Sequence, residues 1–271
     1  MITLKEATEL LCRAGIDSAK EEARLIFSKI GKIPPHQLIG ADISSDCQEV
    51  FKALERRANR EPLQYIIGEV DFYRETYKVT PDCLIPRADT EILVDFAVKN
   101  LPEGASFLDI CTGSGCVAIS TLCNTKNTRA KAIDISGRAL DVAKKNAEIN
   151  GVFERAEFIL GDALTESFGE NIFAVLSNPP YVTDSAYEKL EKEIYFEPKE
   201  AFVGGYDGAD FYRNLTPKYK NKISKDGFIA YEIGYDQGRL LQAIAEENGM
   251  SAEIIKDFSG NDRVAVLRRS K

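Results

Sequence analysis

The chain has 271 residues, 44% of them hydrophobic, with 35 Lys and Arg against 43 Asp and Glu, one histidine and no tryptophan. That length provides one large or two modest domains with ample apolar material for a core, and a net charge of −8 counts against bulk binding of a phosphate backbone. A single histidine excludes mechanisms that need a His pair or a His-rich metal site, and the absence of any run of about 18 apolar residues excludes a predicted membrane span.

The first residues, MITLKEATEL, begin an amphipathic helix and lack the basic-then-apolar layout of a signal peptide. Thr3-Leu4-Lys5-Glu6 has capping-box spacing, and Gly15 closes that helix. Ser18-Ala19-Lys20-Glu21 repeats the signal for a second helix ending at Gly31, and Pro34 and Pro35 follow. Ser45-Asp46-Cys47-Gln48 opens a third helix through Arg60, with Pro62 just beyond its end. No strand pattern appears in these roughly 60 residues, which therefore predict a small helical bundle. His36, after two prolines, is read as a loop or surface residue. From Gln64 to Pro86 the pattern changes, and Phe72, Tyr73, Tyr77 and Val79 among polar residues predict a β-hairpin linker. Thr90 to Lys99 returns to helical spacing.

Beyond Lys99, apolar strands alternate with helices. The strands are Phe107–Ile110, Ala130–Ile135, Ala156–Leu160, Phe173–Ser177, Phe228–Ile233, Ser251–Phe258 and Arg263–Arg268, and Gly137–Asn150 is one of the helices. This alternation predicts an α/β fold with a mostly parallel, doubly wound sheet. Only Ser259–Asp262 separates the last two strands, too few residues for a crossover helix, so they pair antiparallel. Glu188–Glu193 is read as a solvated helix face. The six cysteines, Cys12, Cys47, Cys83, Cys111, Cys116 and Cys123, contain no CxxC pair; reduced thiols in the cytoplasm are expected, with no metal site.

Phe107–Ile110 runs into Cys111-Thr112-Gly113-Ser114-Gly115, a Gly-rich turn between a strand and a helix where the backbone can approach a ligand closely. Asp134 ends the next strand, about 20 residues past that loop, in position to accept from both hydroxyls of a ribose. This pair of features does not separate NAD from S-adenosylmethionine, since both carry an adenosine ribose. Asp162, after the third strand, is placed to accept the adenine amino group with Ala163 beside it; the alternative is a helix N-cap.

Ser177-Asn178-Pro179-Pro180-Tyr181 follows the fourth strand. Its plain reading is a turn. Two prolines remove two backbone donors, however, so the segment presents acceptors, the Asn178 side-chain oxygen and the Pro179 carbonyl, beside the flat face of Tyr181. A planar NH₂ group fits that arrangement. Two acceptors hold its N–H bonds and aim the nitrogen at an electrophile, and alignment at roughly 3–3.5 Å replaces a strong base. Methyl transfer from a sulfonium donor is the chemistry that follows.

With these residues, Pro62–Gly68, Ile85–Glu91, Asp109–Gly115, Ile133–Ser136, Asn178–Tyr181, Glu197-Pro198, Gly204–Gly208, Glu232–Gly234 and Gly260–Arg263, the chain resembles the HemK/PrmC family of protein-(glutamine-N5) methyltransferases over almost its whole length. The resemblance implies a class I fold dependent on S-adenosylmethionine: a Rossmann-like, seven-stranded, mostly parallel sheet with an antiparallel last strand. It also implies an N-terminal helical substrate-recognition domain, joined by the hairpin. The division expected is 1–75 and 76–271. The implied substrate is the glutamine of the Gly-Gly-Gln loop of peptide chain release factors, which places the chain in translation termination.

Carried over by position, Cys111, Thr112, Gly113, Ser114, Gly115 and Asp134 would hold the cofactor's methionine and ribose. Asp162 and Ala163 would border adenine, and Asn178 would touch cofactor and glutamine. Pro179 would supply the second acceptor, Pro180 and Tyr181 would shape the glutamine slot, and Arg87 and Glu91 would organise the pocket lid. Two positions depart from the family's pattern: Cys111 stands where glycine is common, which is harmless if its φ is negative, and Ala88 where proline is common.

A DNA adenine-N6 methyltransferase is the nearest alternative, since that class holds an exocyclic NH₂ with a similar (Asp/Asn)-Pro-Pro-Tyr turn. The acidic charge and the lack of a basic, aromatic-bearing recognition domain favour a protein substrate. A nicotinamide oxidoreductase leaves Asn178–Tyr181 unexplained, and a non-catalytic binding module leaves its two prolines without purpose. A monomer that binds neither nucleic acid nor membrane is expected.

Overall fold

The computed structural model of the chain describes residues 1–39 and 44–270. It separates into two units, one of residues 1–69 with 191–196 and one of residues 70–190 with 197–271.

The smaller unit is helical. α1 (Leu4–Arg13) carries the predicted capping box, with Thr3 and Glu6 each bonding the other's backbone N–H, and Gly15 turns the chain at φ +75. α2 (Ala19–Lys29) starts where expected, but Ser18 does not cap it: with ψ near 29° its hydroxyl donates to the Glu22 carboxylate at 2.9 Å. Gly31 has no positive φ; Lys32 takes the left-handed turn instead. Glycine is needed at 31 because an added Cβ would lie 2.6 Å from the Phe27 carbonyl oxygen. α3 (Gln48–Ala58) begins three residues after Ser45, and α4 (Leu63–Ile67) occupies residues that the hairpin pattern had claimed.

A strand ladder also exists where none was expected. β1 (Ile2–Thr3) pairs antiparallel with β2 (Ser44–Ser45), too short to leave a period-2 pattern. Leu11, Ile26, Phe27 and Leu54 fill the core between the helices. His36 is exposed in a 3-10 turn, Pro35–Ile39, as read from the sequence.

In the stretch Glu188–Glu193, residues 188, 189, 191 and 192 are exposed as read, but they do not form one helix face and Glu193 is not left to solvent. Helix ends at Tyr187, and Glu193 accepts from Arg57 at 3.0 Å and from Arg60 at 2.8 Å. Arg57, with a side chain only 8% exposed, also donates to Glu22 at 2.5 Å. One buried guanidinium thus joins two carboxylates.

In the larger unit, β3 (Glu69–Phe72) and β4 (Glu75–Lys78) form the predicted hairpin. Phe72 and Tyr77 are fully buried in this unit's core, so the boundary falls at 69/70 instead of 75/76. The main sheet contains β5 (Ser106–Ile110), β6 (Arg129–Asp134), β7 (Ala156–Leu160), β8 (Ile172–Ser177), β9 (Ile223–Glu232), β10 (Met250–Lys256) and β11 (Asp262–Arg269), in the spatial order β10-β11-β9-β8-β5-β6-β7. The pairs from β7 through β9 are parallel, and β11 runs antiparallel to both β9 and β10; its pairing with β10 is the one that the short connection between them was expected to impose.

Helices α5 (Glu91–Asn100), α6 (Cys116–Cys123), α7 (Gly137–Ile149), α8 (Asp184–Tyr187), α9 (Asp210–Tyr219) and α10 (Gly238–Glu247) complete the unit. Two apolar clusters, one holding Phe107, Ile119 and Phe228 and the other Ile110, Tyr212 and Tyr231, pack the sheet. The chain direction across the sheet reverses beside β5: β6 and β7 lie on one side, β8 and β9 on the other. Loops leaving the carboxyl ends of β5 and β8 therefore emerge together, at the position where open α/β sheets bind ligands.

Candidate active site

A cavity of about 310 Å³ opens at that switch point. Of the nine residues expected to meet the cofactor, Cys111, Gly113, Asp134, Asp162, Ala163 and Asn178 line it, together with Pro180. They come from the carboxyl ends of four strands, β5, β6, β7 and β8, or from the loops that follow, so the sheet order gathers them.

Thr112, Ser114 and Gly115 do not line the cavity and instead build the loop that does. Thr112 donates its hydroxyl to Asp109 at 2.6 Å, and the same carboxylate oxygen accepts the Ala118 N–H at 3.0 Å. Asp109, fully buried in β5, ties the strand end to the start of α6. Burial pushes its carboxyl up to about 7, against the pull of those two donors. Gly115 has φ +83, and an added Cβ would lie 2.8 Å from Ile119 and 3.0 Å from Ala143. Glycine here permits close helix packing as well as the turn.

Cys111 has φ +61, opposite in sign to the expectation. Its side chain therefore sits in a region that costs an L-residue roughly 1–2 kcal/mol, which explains why glycine suits this position. The half-buried thiol is held well above the ordinary range by desolvation, with Asp134 and Asp109 adding to the effect.

Asp134 accepts the Gly113 N–H at 2.8 Å with one oxygen and the Ser136 N–H at 2.9 Å with the other. Burial raises its pKa while those donors lower it. The Ile135 N–H adds to these donors, and Asp134 lines the cavity. Asp162 is engaged locally, but no helix follows it, so it caps a turn and is not a helix N-cap: one oxygen accepts the Leu164 N–H at 2.8 Å and the other the Thr165 hydroxyl at 3.1 Å.

Asn178 donates its side-chain N–H to the Thr90 hydroxyl at 3.2 Å. Tyr181 is not a free stacking face. Its hydroxyl donates to Glu232 at 3.1 Å, and its ring packs on the second apolar cluster. The Gly204–Gly208 segment lies against the backbone of this turn; a Cβ on Gly204 would come within 2.3 Å of the Pro180 carbonyl oxygen, and one on Gly208 within 2.2 Å of that of Tyr181. Gln237 pins the same carbonyl of Tyr181 at 3.2 Å.

Arg87 bonds the buried carboxylate of Glu197, whose other oxygen accepts the Ile85 N–H at 2.9 Å. Burial raises the Glu197 pKa and Arg87 opposes it. Pro198, Glu200 and Ala201, which line the cavity, follow directly. Glu91 is placed elsewhere: it accepts the Tyr73 N–H at 2.8 Å and supports the hairpin turn, where Tyr73 has φ +58. As the first residue of α5, Glu91 projects to the hairpin and not to the cavity.

Residues unassigned from the sequence prove central: Asp109, Thr90, Glu197, Gln237 and Glu232. The signal for Glu232 was a lone carboxylate ending an apolar strand, FIAYE, where an ionisable group needs a reason to be buried. Glu232 is 2% exposed, and burial pushes its carboxyl up to about 7.

Family models match in two places, a PrmC N-terminal domain at residues 3–68 and a methyltransferase small domain at residues 88–201. A release factor glutamine methyltransferase of Thermodesulfovibrio yellowstonii is 39% identical over 260 residues, covering 92% of each chain. One from Moorella thermoacetica is 34% identical, covering 98% of this chain and 97% of its own. Among solved structures, the ribosomal protein L11 methylase of Lactobacillus delbrueckii subsp. bulgaricus superposes with a TM-score of 0.53 at 18% identity, over 71% of this chain and 84% of that one, a likeness of fold.

Proposed function

The chain belongs to the release factor glutamine methyltransferase family, and from that premise we propose that it transfers a methyl group from S-adenosylmethionine to the side-chain amide nitrogen (N5) of the glutamine in the Gly-Gly-Gln loop of peptide chain release factors. The observation that carries this reading is the orientation of Asn178. Its N–H is committed to Thr90, so its carbonyl oxygen is left for the cavity, beside two prolines without donors.

The lining fits the cofactor. Gly113 presents bare backbone, since an added Cβ would meet nothing within 4 Å, and Asp134 offers two preorganised acceptors to ribose hydroxyls. Cys111 would border the methionine part; Ala163 and Asp162 would border adenine. When bound, S-adenosylmethionine supplies an electrophilic methyl group on a sulfonium. Asn178 and the Pro179 carbonyl accept the two N–H bonds of the glutamine amide, turn its nitrogen toward that methyl and favour the positive charge that develops on it. Pro180 shapes the slot, Tyr181 anchors it through Glu232, and Arg87 steadies its lid through Glu197. The proton leaves to water, so no histidine is needed. The helical unit serves substrate recognition, and the reaction belongs in the cytoplasm, where release factors act.

Mass spectrometry of a Gly-Gly-Gln release-factor fragment, before and after incubation with enzyme and cofactor, tests the reading. One added methyl on the glutamine is the expected result. Incorporation of labelled methyl into DNA alone would overturn it in favour of the adenine reading. Asn178→Ala should keep cofactor affinity and lose turnover by roughly 100-fold or more.

A further inference from the structure

We infer that Gln237 is a positioning residue for the transfer proposed above: its side-chain amide, fixed in one orientation, holds the Tyr181 and Gly208 carbonyls together and thereby sets where the Asn178–Tyr181 turn presents its acceptors. The inference rests on that proposed reaction and on the hydrogen bonds of one buried side chain. Gln237 Nε2 donates to the Tyr181 carbonyl at 3.2 Å and to the Gly208 carbonyl at 3.4 Å. Its Oε1 accepts the Gly234 N–H at 2.9 Å. The Tyr212 hydroxyl, which also meets the Glu232 carbonyl at 2.9 Å, lies 3.3 Å from the same Oε1.

A turn with two prolines cannot pair through its own backbone donors. Pro179 and Pro180 have no N–H, so what neighbours give to the turn's carbonyls fixes its place. A backbone N–H can only donate, so Gly234 draws the Gln237 oxygen to itself and sends the NH₂ to the two carbonyls. Facing carbonyl oxygens repel unless a donor lies between them, and this NH₂ has one hydrogen for each. The second carbonyl belongs to the Gly204–Gly208 segment, which approaches the turn as closely as glycine allows. Val203, just before it, bridges Val182 and lines the cavity. One amide thus sets the turn and one wall of the cavity. A carboxylate at 237 keeps the shape and the acceptor but sets an anionic oxygen against both carbonyls. Burial and those carbonyls hold such a carboxyl above its ordinary pKa, and once protonated it donates to one of them again. The charged and titratable groups about this position are Tyr212 on α9, Tyr181 in the turn, Glu232 on β9, and Asp262 and Arg263 on β11.

The test compares wild type, Gln237→Glu and Gln237→Met on a Gly-Gly-Gln peptide from pH 5.5 to 9, with the affinity and stoichiometry of S-adenosylhomocysteine measured alongside. At the alkaline end Gln237→Glu should lose roughly 100-fold in kcat, with full stoichiometry and affinity within about threefold of wild type. As pH falls it should regain at least about tenfold relative to wild type, whereas Gln237→Met should show a loss that pH does not relieve. Equal losses in both variants at every pH, or a fall in stoichiometry that matches the fall in kcat, would reduce Gln237 to packing and overturn the inference. The dipeptide Tyr-Val occurs once in the sequence, at 181–182, so carbon-13 in tyrosine carbonyls and nitrogen-15 in valine read the Tyr181 carbonyl by NMR without turnover. Its signal should move with pH in Gln237→Glu, with the midpoint of the kcat recovery, and stay fixed in wild type. Where Gln237→Glu does not fold, Gln237→Met must shift that signal from its wild-type position as kcat falls; a wild-type signal or a wild-type kcat in either variant would overturn the inference. A signal that titrates in Gln237→Glu, beside a wild type that leaves the peptide unmethylated, would refute the proposed substrate and leave the hold on the turn standing.

Discussion

The ammonium of Lys218 on α9 donates to the carbonyl of Ala163 at 2.5 Å, and the same group reaches Leu164 and Glu166 at 2.8 Å each. One side chain gathers three carbonyls of the loop that closes the cavity beside Asp162. Burial lowers the lysine's pKa, with Asp162 and Glu166 opposing. Lys218→Met keeps the apolar stem and removes the donors, at a cost of about 1.5–3 kcal/mol for bonds to a charged group. Cofactor affinity, measured by calorimetry with S-adenosylhomocysteine, should weaken roughly fivefold to tenfold. An unchanged affinity would show that the loop holds its shape without the lysine.

Asp109 makes a prediction about pH. Its carboxyl rises from 3.8 to about 7 on folding, so the folded protein binds its proton more tightly than the unfolded chain does. The stability it contributes is full below about pH 4 and is lost as pH rises through about 7. Wild type and Asp109→Asn should therefore differ in pH dependence over that window, the variant gaining relative to wild type as pH rises. Parallel melting curves from pH 4 to 8 would contradict the burial effect.

Arg57 joins Glu22 and Glu193 in a largely desolvated site, where Arg60 and Arg57 together hold the Glu193 pKa below the usual range despite burial. Arg57→Met leaves Glu22 without its cation while Glu193 keeps Arg60, and removing one partner of a buried pair costs about 3–5 kcal/mol. Urea unfolding should record that loss, and Arg57→Met combined with Glu22→Gln should return part of it. A loss below about 1 kcal/mol would mean that water reaches the pair and screens it.

Cys111 is held at φ +61. Cys111→Gly should be neutral within about 1 kcal/mol, because relief of strain offsets the larger entropy of an unfolded glycine. Cys111→Val places a branched side chain in the left-handed region and should cost more than about 2 kcal/mol. Equal melting temperatures for the two variants would refute the strained geometry.

Local features were the most legible. The capping box at Thr3 and Glu6 and the turn at Gly15 need only neighbouring residues, and both formed as read. Ser18 and Ser45 carried similar signals and failed, since Ser18 gives its hydroxyl to Glu22 and Ser45 pairs with Ile2 in a ladder. Glu193 sat in a charge run that looks solvated until Arg57 and Arg60, more than 130 positions earlier, take it up. Glu91 belonged to a motif whose other members reach the cavity region, yet its helix carries it to the hairpin.

By itself, the sequence determined the alternation of strands and helices, the antiparallel end of the sheet and the acceptors of the Asn178–Tyr181 turn, because each depends on spacing or on the chemistry of adjacent residues. The tertiary structure alone decided which way Asn178 faces. Thr90 and Asn178 lie 88 positions apart along the chain and meet only when the fold brings the start of α5 to the end of β8. The direction of a hydrogen bond depends on every partner in reach, and those partners are chosen by the packing of the fold.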